Sequence, residues 1–178
     1  TFAFAGGDND FLRVDSLDLS YDLIEADGYV YVAHGFNGLR VYDMAIPSSP
    51  QPVLLTVPSR DGGDPKQSYT LDLNQSSVGV SLARHGNILY ALGIGGLDII
   101  DISKPSEPTF VGPSPIPDIK GRELAVGIGP DAEGKPSSVL YVATCYNPTT
   151  DDFRYMCDNS APPTLMAFPI HEQQPMLG

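Results

Sequence analysis

The sequence predicts an all-β chain of short antiparallel strands, on three observations. Gly (18) and Pro (17) make up nearly a fifth of the 178 residues and punctuate short runs rich in Val, Ile, Leu, Tyr and Phe, the composition of strands separated by turns. No window carries an i, i+3, i+4, i+7 apolar stripe long enough for a helix. The runs "YVYVA", "GLRVYDM", "ILYAL" and "LDIIDI" instead alternate or are apolar throughout, as in sheets covered on both faces. The third observation is an internal repeat.

The repeat appears when residues 31–50, "YVAHGFNGLRVYDMAIPSSP", are set over residues 90–108, "YALGIGGLDIIDISKPSEP". With one gap in the turn, Gly38, Leu39, Val41, Asp43, Pro47 and Pro50 fall on Gly96, Leu97, Ile99, Asp101, Pro105 and Pro108, each pair 58 positions apart. A degraded third copy follows, with "VLYVAT" at 139–144 and "TLMAFPI" at 164–170 on either side of an inserted loop.

Taken in order, "FLRVDSLDL" resembles only an outer strand. "YDLIEADG", "YVYVAHG", "GLRVYDM" and "PVLLTV" then read as four strands, the second and third joined by a Gly-containing hairpin and the last following a proline pair. "VGVSLARHG", "ILYALG", "GLDIIDI" and "TFVGPS" repeat them. A four-stranded meander is a propeller blade. The expected architecture is therefore a β-propeller segment of about three antiparallel blades, part of a larger closed propeller: an outer strand of a preceding blade in 1–20, blades in 21–58 and 77–114, and a partial blade in 121–178.

The segments "GLRVYDMAIPSSP" and "GLDIIDISKPSEP", each preceded by "YVA" or "YAL", resemble the LVIVD repeat. The resemblance covers 12–112 well and departs at Met44, where the pattern prefers Ile or Val, and in the long insertion of the third copy. It implies a propeller and a secreted or surface setting in bacteria or archaea. It brings no catalytic motif with it.

Lys and Arg total 10 against 22 acidic residues, a formal net charge of −12. Such a surface repels phosphate backbones, which argues against nucleic acid and anionic membrane as partners. No stretch reaches the ~20 apolar residues of a membrane span and no charged region followed by an apolar one opens the chain; its opening at Thr1 is that of an excerpt or of a processed protein. The two cysteines, Cys145 and Cys157, sit twelve positions apart in a loop rich in Asn, Thr, Asp and Pro. A loop-closing disulfide accounts for them and places the protein outside the cell or on its surface, the periplasm being the other oxidising compartment. Two unrelated reduced thiols are the alternative.

Candidate functional residues are few. Asp43 and Asp101 occupy the same place in two copies, each followed by Pro at +4 and +7, and most simply accept backbone N–H groups that shape a turn. His34 ends an inner strand and could face a blade-end pocket, while His85, in the turn "RHGN", and His171 lie elsewhere in the repeat. HExxH, GxSxG and CxxCH are absent; "GIGGLD" lacks the last glycine and the helix of a dinucleotide loop, and "EGKPS" lacks the Walker A spacing.

No cofactor is predicted. Calcium is the one metal the acidic loops could hold, at Asp8 and Asp10, at Asp61 and Asp64, or at Asp151, Asp152 and Asp158, although none has the alternating order that makes six or more oxygens converge. Asn74 opens a glycosylation sequon. The loops 58–77 and 144–163 are longer than the connections require, and the second carries Tyr146, Phe153 and Tyr155 as a recognition surface.

The function expected is that of a non-enzymatic binding or structural module contacting protein or carbohydrate, with flanking blades or another chain covering its open sheet edges. The rival is a propeller hydrolase or lyase in which His34 and acids from several blades hold a metal on the central axis. A third reading is a structural subunit of a larger surface assembly.

Overall fold

A computed structural model of the chain describes residues 20–35, 38–57, 63–73, 79–93, 96–111, 121, 123–144 and 164–170. All regular structure among them is antiparallel sheet. The first blade is a meander of β1 (Asp22–Ala26), β2 (Tyr29–Ala33), β3 (Leu39–Asp43) and β4 (Gln51–Pro52). A small sheet of β5 (Leu55–Val57) and β6 (Lys66–Ser68) follows. The second blade comprises β7 (Gly79–His85), β8 (Ile88–Gly93), β9 (Gly96–Asp101) and β10 (Thr109–Phe110). The third has three strands, β11 (Glu123–Pro130), β12 (Pro136–Thr144) and β13 (Thr164–Pro169).

Local chemistry explains the meander. Between β1 and β2 the chain reverses through Asp27 and Gly28, both at positive φ (54° and 84°), the Asp-Gly pairing that a two-residue hairpin favours because it matches the strand twist. After β3, Asp43 Oδ1 accepts the Ala45 N–H at 2.8 Å, and after β9 Asp101 Oδ1 accepts the Ser103 N–H at 2.8 Å, so both carboxylates shape their turns as their recurrence suggested.

The outer strand differs from expectation. "PVLLTV" does not run along the blade: its contact with β3 ends at Val53, whose N–H donates to Val41 O at 2.9 Å, and Leu55–Val57 leaves to pair with Lys66–Ser68. Prolines at 50 and 52 offer no N–H to a ladder, while Leu55 is fully buried in the core. The described part of the loop 58–77 is likewise structured rather than free. Leu39 and Leu71 exchange two backbone hydrogen bonds of 2.9 Å, and Leu71 and Leu73 join the core. Gly38 (φ 73°) makes room for this, since a Cβ there would overlap the Leu71 carbonyl.

The blades stack face to face. Ala26, Tyr31, Ala33, Leu39 and Val41 of the first pack on Leu82, Leu89, Ala91, Ile100 and Ile102 of the second. The opposite face of the second, Ala83, Tyr90, Leu92, Leu97 and Ile99, packs on Leu124, Leu140, Val142 and Ile170 of the third. Complete burial of one such leucine contributes roughly 2 kcal/mol. Leu39 and Leu97 are both fully buried at equivalent places, opposite Ala33 and Leu92.

Hydrogen bonds show that the third blade is a true copy. The N–H of Met44 donates to Gly28 O, that of Ile102 to Asn87 O and that of Ile170 to Ser138 O, at 2.9, 2.8 and 2.8 Å. These are the same bond in three blades. The segment 1–19, with the proposed preceding strand, lies outside the described residues.

Candidate functional site: the inter-blade seam at β1, β7 and β11

The first strands of the blades, β1, β7 and β11, lie beside one another in order, which brings one repeat position of each blade together. Counting from the shared tyrosines Tyr31, Tyr90 and Tyr141, that position is Asp22, Ser81 and Glu123, opposite Ala33, Leu92 and Ala143. Asp22 Oδ2 accepts the Leu82 N–H at 2.8 Å and the Ser81 hydroxyl at 3.1 Å. Ser81 Oγ in turn accepts the Leu124 N–H at 3.0 Å. Each side chain thus takes the N–H of the residue one place further along in the next blade, and these bonds run between buried faces where an unpaired N–H would be costly.

Sequence reading missed this relay because Asp, Ser and Glu do not look like a repeat. The available signal was functional: all three carry an oxygen acceptor, two residues before the strand partner of the recurring tyrosine.

The tyrosines themselves are the second feature of the seam. Tyr31 and Tyr90 are fully buried, and among the described residues neither hydroxyl has a hydrogen-bond partner. Burial pushes both up to about 12 from 10.0; at Tyr31 the Arg84 guanidinium pulls weakly the other way. Both are therefore neutral packing groups at ordinary pH. Arg84 also ties the first two blades at the surface, with Nη2 2.6 Å from Asp27 Oδ2 and Nε donating to Gly86 O, a contact that exposure to solvent keeps weak.

Of the residues singled out by sequence, His34 is buried just beyond β2, and its backbone N–H donates to Gly38 O at 2.8 Å. His85 ends β7 and is half-buried, and Asp64 is exposed ahead of β6. No three His, Cys, Asp or Glu residues come together as a metal site among the described residues. Cys145, Cys157, Tyr146, Phe153, Tyr155, Asp8, Asp10, Asp61, Asp151, Asp152, Asp158, Asn74 and His171 lie outside the described residues. Among the described residues no helix is long and apolar enough to cross a membrane.

The fold and the seam define a run of β-propeller blades whose recurring polar groups bind backbone. The profile of the LVIVD repeat matches residues 22–54 and 80–113, so each of the first two blades is similar to one such repeat. The matches end at 113, and the third blade is joined to them by structure rather than by sequence pattern. No curated protein matches the chain.

Proposed function

We propose that the chain is a non-enzymatic scaffold of a secreted or cell-surface protein, which contacts protein or carbohydrate through the loops at its blade ends. The observation that supports this reading is the use made of the recurring polar side chains. Asp43 and Asp101 shape turns, and Asp22 and Ser81 join blades, so what recurs builds the stack and what varies lies in the connections. Loops on a rigid scaffold are where recognition concentrates, and the aromatic loop with Tyr146, Phe153 and Tyr155 has the composition of a binding surface. The net charge of −12 favours partners that are neutral or basic.

The test is to probe the immobilised chain with glycan arrays and with extracellular protein panels, then to repeat any positive interaction with Tyr146→Ala, Phe153→Ala and Tyr155→Ala combined. The expected result is loss of binding with an unchanged melting temperature. Binding that survives the triple variant refutes the loop assignment. Turnover of a glycan or ester probe that disappears in His34→Ala refutes the non-enzymatic reading.

A further inference from the structure

We draw no further inference here: the strongest candidate, the apolar face of the third blade around Leu165, which is 68 % exposed where its counterparts Leu39 and Leu97 are fully buried between blades, carries nothing because nothing in the structure shows what covers it.

Discussion

Asp22 and Leu82 are 60 positions apart in the chain and 2.8 Å apart in space, the carboxylate of one accepting the backbone N–H of the other across the first inter-blade interface. Asp22→Ala removes that acceptor and the partner of the Ser81 hydroxyl together, leaving a donor without a partner between packed faces. The expected loss is about 2 kcal/mol, read as a lower urea midpoint, while Asp22→Asn, which keeps one oxygen in place, loses about half as much. Equal losses in the two variants would mean that charge rather than the hydrogen bond matters at this position.

Tyr31 and Tyr90 make stability fall at high pH. Their folded-state values lie near 12 and the unfolded value is 10.0, so below pH 10 both states are protonated and the stabilisation is fully present. As pH rises from 10 toward 12 the unfolded chain releases protons that the folded one retains, and stability declines. Tyr31→Phe with Tyr90→Phe flattens this decline and leaves stability at pH 7 equal or about 1 kcal/mol higher, since each removes a hydroxyl buried without a partner. Urea midpoints at neutral and alkaline pH check both points, and an undiminished alkaline loss in the double variant counts against the assignment.

Gly38→Ala is expected to destabilise by at least about 2 kcal/mol, because it forces a Cβ into the left-handed region and against backbone. The φ of 73° and the close approach of Leu71–Leu73 act together. Gly134→Ala, also at positive φ (78°) but with nothing near its Cβ, bears the conformational strain alone and costs about 1 kcal/mol. The difference between the two melting temperatures isolates the steric part.

Cys145 and Cys157 are expected to be joined when the protein is made in an oxidising compartment. Intact mass after alkylation without reductant should show no modified thiol, and reduction should lower stability by about 3 kcal/mol in the chain-entropy account. Two alkylated cysteines in native material would remove the main sequence argument for an extracellular location.

Strand identity and the repeat were legible in sequence because each rests on local information. Alternation, Asp-Gly and proline punctuation mark the strands of 22–52 and 79–110, and Asp43 and Asp101 act within two residues of themselves. The short outer strand was misread for an equally physical reason: "PVLLTV" has ideal strand composition, but the prolines at 50 and 52 withhold donors and the core claims Leu55. The relay through Asp22 and Ser81 could not be read at all, since it joins unlike residues whose proximity exists only once blades stack. By itself, then, the sequence determined where the three inner strands of the first two blades run and in what order, because periodicity is a property of neighbours along the chain. Only tertiary structure decided that Leu39 and Leu97 would be buried and Leu165 exposed, because the three leucines differ in what packs against the face that carries them.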